Sequence, residues 1–244
     1  MPPRLVLLGT GTCELDTGSA ASAILVELPE VRFVYDFGRG TASRLAQTGL
    51  RQDDLGHILI SHYHPDHFSD LIPYLHAALH APGDPRSRDL HVYGPKGLKE
   101  VMQHVSTLSG LAARDNPGAF QVQLHRLETL VRLDSVDVAS SELPPAHNRG
   151  IRLEHDGRTI AFTGDSHFHA EEVEFLKGVD LAVIDAGHLS DEEIVELAIR
   201  SGPGLMICSH LYRPLDPDRL EMTARESGFE GRLVCGHDLM ELEL

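Results

Sequence analysis

Short apolar runs alternate along the chain with turn residues and with segments whose apolar residues recur at helical spacing. The run H-I-L-I at 57–60 has no polar alternation, which is typical of a strand buried on both faces. The predicted strands are residues 5–8, 23–28, 32–37, 57–62, 90–95, 121–127, 135–141, 180–185 and 204–210, with a hairpin over 151–165. The predicted helices are residues 41–49, 68–80, 97–108, 170–177 and 191–200. The pattern therefore predicts a mixed α/β protein.

Two segments repeat the same order of predicted elements. Residues 24–62 run strand, turn, strand ending near Asp36, helix, apolar strand and His62. Residues 151–188 follow the same order, with Asp165 and His188 in the corresponding places. We interpret this as an internal duplication that gives two similar β-rich halves with helices outside. The predicted fold is α/β, a four-layer αββα sandwich, and the lack of a long linker predicts a single domain over residues 1–244.

Composition narrows the classes of partner. The 244 residues carry 21 basic and 37 acidic side chains, a net charge of −16, which disfavours a large nucleic acid because phosphate binding needs Lys and Arg. The three cysteines form no C-x-x-C pair, so a disulfide scaffold is not expected. The chain shows neither a signal-peptide core nor an apolar run long enough to span a membrane. We expect a cytoplasmic protein without a membrane partner.

The stretch S-H-Y-H-P-D-H-F-S-D at 61–70 concentrates histidines directly after a buried strand. His62 and His64 project to the same side because side chains alternate along an extended chain. Pro65 keeps His64 extended, and Asp66 is placed to cap the next helix or to bind an ion. Asp66 and His67 must point in another direction from the first pair. The motif therefore predicts two neighbouring cation sites.

Two cations need further ligands, and three candidates lie downstream. His147 follows a predicted strand and a proline pair, Asp165 follows a glycine at the end of the hairpin, and His210 ends the strand 204–210. Ligand sites of layered α/β folds gather at the carboxyl ends of strands. These three residues are therefore predicted to join the histidine motif.

The pattern H-x-H-x-D-H, followed by a lone histidine, G-D and S-H, resembles the metallo-β-lactamase superfamily of metal-dependent hydrolases. D-F-G-R-G-T (36–41), S-H-Y-H-P-D-H and F-T-G-D (162–165) are most similar to its ribonuclease Z and cyclic phosphodiesterase branch. The resemblance covers nearly the whole chain and implies the two-halved αββα sandwich. It also implies two metal sites that share the bridging Asp165. The implied ligands are His62, His64 and His147 for the first metal and Asp66, His67 and His210 for the second.

Nitrogen and oxygen ligands without cysteine suit Zn²⁺, with Mn²⁺ or Fe as alternative occupants. Two such ions, roughly 3.5–4 Å apart, activate a bridging hydroxide for attack on phosphorus or on a carbonyl carbon. Asp66 is predicted to be catalytic as well as a ligand, because it can accept a hydrogen bond from that hydroxide. His188 is nominated as the general acid, against the alternative of a surface histidine before a helix. Asp36 is expected to support a metal-binding histidine rather than to bind metal.

Other candidate residues receive ordinary structural interpretations. His76 and His80 are expected to lie away from the strand ends, and His167 and His169 are assigned to a solvated loop in preference to the pocket rim. Cys208 is expected to be buried within its strand, and G-T-G-T at 9–12 is interpreted as a turn.

The substrate is the least determined prediction. Related tRNA-maturing enzymes carry a long arm between the third histidine and the bridging aspartate, whereas here one hairpin fills the interval from His147 to Asp165. We therefore expect a small-molecule anionic ester, specifically a small phosphodiester. Hydrolysis of lactones, carboxylic esters or sulfate esters is the alternative, and a metal-dependent oxidoreductase or a non-catalytic metal-binding accessory protein is the alternative of another class. The oligomeric state is open, with a homodimer among the options.

Overall fold

The structure is a computed structural model that describes residues 2–15, 18–83, 86–109, 120–145 and 147–244. The strands are β1 Arg4–Gly9, β2 Ala23–Glu27, β3 Arg32–Tyr35, β4 His57–Leu59, β5 Leu90–Gly94, β6 Val122–Arg126, β7 Leu130–Leu133, β8 Val136–Leu143, β9 Asn148–His155, β10 Arg158–Phe162, β11 Leu181–Asp185, β12 Leu205–Ser209, β13 Arg232–Cys235 and β14 Met240–Glu243. The helices are α1 Thr41–Gln47, α2 Pro65–Phe68, α3 Leu71–His80, α4 Leu98–Ser109, α5 Ala170–Leu176, α6 Asp191–Ser201 and α7 Pro217–Glu226, with a 3₁₀ turn at Gln52–Asp54.

Within these described residues the strands form two seven-stranded sheets. The first has the order β14-β1-β2-β3-β4-β5-β6 and the second has the order β13-β12-β11-β10-β9-β8-β7. In the first sheet, β3, β4, β5 and β6 are parallel neighbours, and in the second, β10, β11, β12 and β13 are parallel neighbours. The carboxyl ends of each parallel set lie at one edge of its sheet, so both sheets offer a place for functional side chains.

The repeated order of elements corresponds to a repeated pairing pattern. The antiparallel pair β2–β3 is followed by the parallel β4, and the antiparallel pair β9–β10 is followed by the parallel β11. The αββα sandwich predicted from the sequence is confirmed. Its two halves repeat the same hairpin-and-crossover arrangement.

Three apolar clusters correspond to the interfaces of the sandwich. The cluster between the sheets includes Phe33 and Tyr35 of β3 and Phe162 of β10. The rings of Tyr35 and Phe162 are 5.5 Å apart between centroids, so the two sheets contact each other directly there. Helices α3 and α4 cover the outer face of the first sheet, and α5, α6 and α7 cover that of the second.

Several element boundaries differ from those predicted. The strand expected at 57–62 ends at Leu59, and the helix expected at 68–80 is divided into α2 and α3. Strands β7, β13 and β14 and helix α7 were not predicted. Helix α6 begins with a capping box between Ser190 and Glu193, and its C-cap Gly202 has a φ of 63°.

The segment after β13 connects the two sheets. Asp238 accepts hydrogen bonds from the backbone nitrogens of Thr10 and Ala20, at 3.0 and 2.7 Å, and from Nε of Arg44 at 3.0 Å. The chain then forms β14, which pairs with β1 of the first sheet. In the described part of the chain, helices of the length and apolarity that a membrane crossing requires are not found.

Candidate metal centre

The predicted ligands come from the carboxyl ends of neighbouring strands. His62 follows β4, Asp165 follows β10 and His210 follows β12. Asp66 and His67 lie in the one-turn helix α2, which begins at Pro65 with His64 as its N-cap. Asp66 therefore lies inside the helix and does not cap it. The chain direction changes between His64 and Asp66, which separates the two pairs of predicted ligands as the sequence motif predicts.

Asp165 lies between the histidines of the two halves. Its Oδ2 is 3.6 Å from Nε2 of His62, whereas its Oδ1 is 2.9 Å from Nε2 of His67. The same Oδ1 is 3.5 Å from Nε2 of His210. Each carboxylate oxygen of Asp165 thus faces a different set of histidines, which is the arrangement that a bridging ligand requires.

Within the described residues, three sets of side chains bring their candidate ligand atoms within 4.8 Å of one another. They are His62, His64 and Asp165; Asp66, His67 and His210; and Asp165, Asp185, His188 and His210. In the second set, Oδ2 of Asp66 is 3.4 Å from Nε2 of His210 and 3.8 Å from Nε2 of His67. The structure thus brings together six of the seven ligands expected from the sequence.

His147 is the ligand that the structure does not bring into these sets. It is exposed, has a φ of 76°, and its backbone nitrogen donates to a carboxylate oxygen of Glu142 at 3.3 Å. It occupies the tight connection between β8 and β9, where this left-handed backbone conformation sets the direction of its side chain. Its role as a ligand therefore stays a prediction.

Asp36, directly and through Ser61, orients the rings of His67 and His62 by contacts to their Nδ1 atoms. It is fully buried and accepts hydrogen bonds from the backbone nitrogen and the hydroxyl of Ser61, at 2.7 and 2.9 Å. Its Oδ2 also lies 2.8 Å from Nδ1 of His67, and the Ser61 hydroxyl lies 3.0 Å from Nδ1 of His62. Both rings therefore use Nδ1 for support, which leaves Nε2 for the centre. Asp36 thus makes with His67 the contact expected of a supporting residue.

Two glycines in these motifs occupy positions where a side chain would clash with neighbouring atoms. A Cβ at Gly38, in D-F-G, would overlap the backbone carbonyl of Asp66. A Cβ at Gly164, in T-G-D, would overlap the side chain of Asn148, and Gly164 also has a φ of 63°. The glycines thus allow the backbone to approach closely on both sides of the centre.

The charges of the side chains around the site favour the binding of a cation. Burial, followed by the neighbouring His67, lowers the pKa of His62 to about 4. Burial also lowers the pKa of His210, but hydrogen bonds to Asp185 and Asp66 and the charge of Asp165 raise it to about 9. The pKa of His67 rises well above its usual value because the charges of Asp36 and Asp165 outweigh its burial. Four buried carboxylates converge here, namely Asp36, Asp66, Asp165 and Asp185.

The hydrogen-bonding state of the buried atoms agrees with a metal centre. Among the described residues, Nε2 of His62 is buried without a hydrogen-bond partner. Nε2 of His67 is buried as well and faces Oδ1 of Asp165 at 2.9 Å. Because buried polar atoms normally have a partner, these nitrogens beside a carboxylate fit metal coordination. The residues present therefore fit a site for divalent ions.

Asp185 is a site residue that our sequence reasoning missed. It ends β11 and is 2% exposed, and its Oδ2 lies 2.6 Å from Nδ1 of His188. Its Oδ1 lies 3.3 Å from Nδ1 of His210. The hydrogen bond from His188 to Asp185 raises the pKa of His188 and outweighs the lowering by burial. Its place at the carboxyl end of an apolar strand, the same signal used for His210, could have identified it.

Aromatic rings form one wall of the site. The ring of His188 stacks on those of His167 and His210, with centroid distances of 5.2 and 5.4 Å. Tyr212 contacts His188 and His210 edge-on, at 5.5 and 5.3 Å. His167 is exposed in the loop before α5, as expected, and its ring also belongs to this wall.

The remaining histidine interpretations have different outcomes. His169 ends the same loop as the N-cap of α5, where its Nδ1 accepts a hydrogen bond from the backbone nitrogen of Glu172 at 3.1 Å. Its side chain is 15% exposed, so it is less solvated than expected. A helix cap made by histidine has no strong sequence signature. His76 and His80 are exposed on α3 and are outside the three sets found in the described residues. Cys208 is fully buried within β12, as expected.

Comparisons with known proteins agree with this geometry. A ribonuclease Z from Mycolicibacterium paratuberculosis is 27% identical over 278 residues, covering 99% of this chain and 98% of its own. The crystal structure of the metallo-beta-lactamase fold protein YhfI from Bacillus subtilis is 19% identical, with a TM-score of 0.82 and complete coverage of both chains. The human tRNase Z, short form, is 18% identical, with a TM-score of 0.73 and 98% coverage of both chains.

A family profile described as "Beta-lactamase superfamily domain" matches residues 34–216, which contain all the predicted ligands. This match, the ribonuclease Z relatives and the αββα fold lead to the same assignment. The chain belongs to the metallo-β-lactamase superfamily and is a metal-dependent hydrolase.

Proposed function

We propose that the protein is a phosphoric diester hydrolase with a dinuclear metal centre. The observation that carries the proposal is the position of Asp165, whose two carboxylate oxygens face separate sets of histidines. We assign the ligands to His62, His64, His147, Asp165, Asp66, His67 and His210.

The donor set supports zinc as the native metal. The proposed ligands are imidazole nitrogens and carboxylate oxygens, which suit Zn²⁺ and also accept Mn²⁺ or Fe. When bound, the two ions would supply Lewis acidity toward an ester oxygen and lower the pKa of a coordinated water.

Two residues of the chain, Asp66 and His188, are assigned the remaining steps. The Asp66 carboxylate, 3.4 Å from His210, is placed to accept a hydrogen bond from the attacking water and so to orient it. His188 uses Nδ1 to contact Asp185, so its Nε2 is the atom that can donate a proton to the leaving oxygen. Because Asp185 raises the pKa of His188, the ring keeps that proton to higher pH. The side chain of His188 is 30% exposed, which leaves it accessible to a substrate.

Two observations bear on the size of the substrate. The net charge of −16 and the simple β9–β10 hairpin between His147 and Asp165 support a small phosphodiester. The relatives named ribonuclease Z weigh against our expectation that a large nucleic acid is disfavoured. We therefore propose the phosphodiester bond as the target, with a small phosphodiester as the first substrate to test and RNA as the second.

The test combines metal analysis with a substrate panel. The purified protein, saturated with Zn²⁺, is analysed by mass spectrometry for metal content and assayed on a bis-aryl phosphate, a phosphonate monoester, a precursor tRNA transcript, a lactone and an aryl sulfate. We expect two ions per chain and turnover of at least one phosphorus ester. Turnover restricted to the lactone or the sulfate would refute the phosphodiesterase proposal, and a single ion per chain would refute the dinuclear centre.

A further inference from the structure

Two cysteines lie directly opposite each other at the carboxyl ends of adjacent parallel strands. Cys208 of β12 is the register partner of Cys235 of β13. Side chains at opposed positions project to the same face of a sheet, so the two thiols lie side by side. Neither thiol is in a disulfide. The arrangement is a paired dithiol outside the proposed ligands.

The two thiols differ in exposure and in acidity. Cys208 is fully buried, whereas Cys235 is partly exposed. The adjacent Cys208 thiol lowers the pKa of Cys235, and this effect outweighs burial and the nearby carboxylates of Asp216 and Asp191. An accessible thiol of lowered pKa beside a second thiol is the arrangement of cysteines that oxidise reversibly. Cys235 is therefore the attacking thiol and Cys208 the resolving thiol.

The pair lies between two segments that both lead to the metal centre. β12 continues from Cys208 through Ser209 to His210, which has a φ of 55°. β13 continues from Cys235 to Asp238, which binds the backbone of Thr10 and Ala20. The backbone nitrogen of Leu211 also donates to Thr10 at 2.8 Å. A movement of either strand end is therefore transmitted to His210 or to the loop that adjoins it.

We propose that Cys208 and Cys235 form a reversible disulfide in response to a peroxide, and that this modification weakens metal retention at His210. The Cys235 thiolate attacks one peroxide oxygen, which breaks the O–O bond, gives a sulfenic acid and releases hydroxide that takes up a proton to become water. The Cys208 sulfur then attacks the sulfenic sulfur, and the S–OH bond breaks to release a second water. Overall, two thiols and one hydrogen peroxide give one disulfide and two waters.

Geometry supplies the link to the metal. Adjacent strands lie about 4.8 Å apart, which is within the range of Cα separations that a disulfide spans but below its usual value of about 5.5 Å. Closing the bond therefore tends to push the ends of β12 and β13 apart by several tenths of an ångström, roughly 0.7 Å. Since His210 follows Cys208 by only two residues, its Nε2 moves relative to Asp66 and Asp165. The resulting strain also makes the bond easy to reduce with a dithiol.

The experiment uses the zinc-loaded protein in a Cys13→Ser background, because Cys13 is the exposed thiol of the three cysteines. The protein is treated with hydrogen peroxide, its free thiols are counted in denaturant, its disulfide is mapped by peptide mass spectrometry, and released zinc is followed with a chromogenic chelator. We expect a loss of both thiols, one peptide pair joining Cys208 to Cys235, and release of zinc. Reduction with dithiothreitol followed by reloading with zinc should restore zinc retention.

Two single variants, Cys235→Ser and Cys208→Ala, serve as controls in the same background. We expect both to keep their zinc in peroxide, with the first leaving Cys208 as a free thiol. Oxygen addition to Cys235 without a crosslink would overturn the proposed disulfide. A crosslink without zinc release would overturn its coupling to the metal centre. Thiol counts do not depend on turnover, so this result is separate from the test of the phosphodiesterase activity.

Discussion

The Nδ1 atom of His188 lies 2.6 Å from a carboxylate oxygen of Asp185. This contact fixes the ring and raises the pKa of His188 through the hydrogen bond. Asp185 also approaches His210, so one buried carboxylate adjoins both the proposed proton donor and a proposed ligand.

The first prediction concerns the proton donor. We expect His188→Ala to keep both metals and to lose roughly 100-fold or more in rate on esters with poor leaving groups, within the range of general acid catalysis. Esters with a nitrophenolate leaving group should lose much less, because that group departs without a proton. The measurement is kcat on a matched pair of alkyl and nitrophenyl phosphodiesters, with metal content determined in parallel. An equal loss on both substrates would contradict the role.

The second prediction concerns the pH dependence that Asp185 imposes. A general acid must be protonated, so the rate falls as pH rises through the pKa of His188. Since Asp185 raises that pKa, Asp185→Asn should move the alkaline limb of kcat/KM to lower pH. The profile is measured on a poor leaving group between about pH 5 and 10. An unchanged limb would show that another group donates the proton.

The third prediction concerns the bridging carboxylate. We expect Asp165→Ala to bind neither metal and to be inactive, because its two oxygens face both sets of histidines. Glu192→Ala, an exposed change on α6 that removes an acidic side chain, is the matched control and should keep both ions. Metal content after dialysis is the measurement, and retention of two ions by Asp165→Ala would refute the bridge.

The fourth prediction concerns the support of His67. Asp36→Asn removes the charge behind His67 while keeping a residue that tolerates the φ of 61° at this position. Loss of such a supporting carboxylate typically costs about 10- to 100-fold in metal affinity. We expect one of the two ions to bind more weakly by this factor and the other to bind nearly as before. Competition with a chromophoric chelator measures both affinities, and an unchanged pair of affinities would contradict the orienting role.

The fifth prediction concerns a buried acid next to the centre. Burial and the charge of Asp185 raise the pKa of Glu172 from its usual 4.5 to about 8. Between these values the folded state binds more protons than the unfolded state, so the free energy of unfolding falls as pH rises, by up to about 1.4 kcal/mol per pH unit. Glu172→Gln should remove this slope, whereas Glu171→Gln, exposed on the same helix, should keep it. Urea denaturation at several pH values measures the slope, and its persistence in Glu172→Gln would refute the assignment.

The sequence predicted well what depends on local pattern. The strand ends that carry His62, Asp165 and His210, and the repeated order of elements, follow from apolar runs that end in polar residues. The strand predicted at 57–62 was too long, because β4 ends at Leu59 and the backbone nitrogen of Ser61 donates to the Asp36 carboxylate. Such side-chain contacts join residues far apart in sequence and leave no local signal.

Long-range packing accounts for most of what the sequence did not predict. In the sequence, Asp185 is simply the last residue of an apolar strand. The fold brings its carboxylate next to His188 and His210. Strands β7 and β14 are short sheet-edge strands with exposed positions, so their apolar pattern is weak. The left-handed backbone conformation of His147, in the connection between β8 and β9, likewise has no signal in its own residue type.

The pairing of β14 with β1 has a consequence during synthesis. The guanidinium of Arg4 bonds to Glu241 across 237 residues of sequence, and β1 has its second neighbour only after β14 has emerged. On the ribosome, the β1 edge of the first sheet is therefore unpaired until residues 240–243 have emerged. An open margin of apolar residues invites pairing with other chains, so the nascent protein should depend on a chaperone more than its fully synthesised form does.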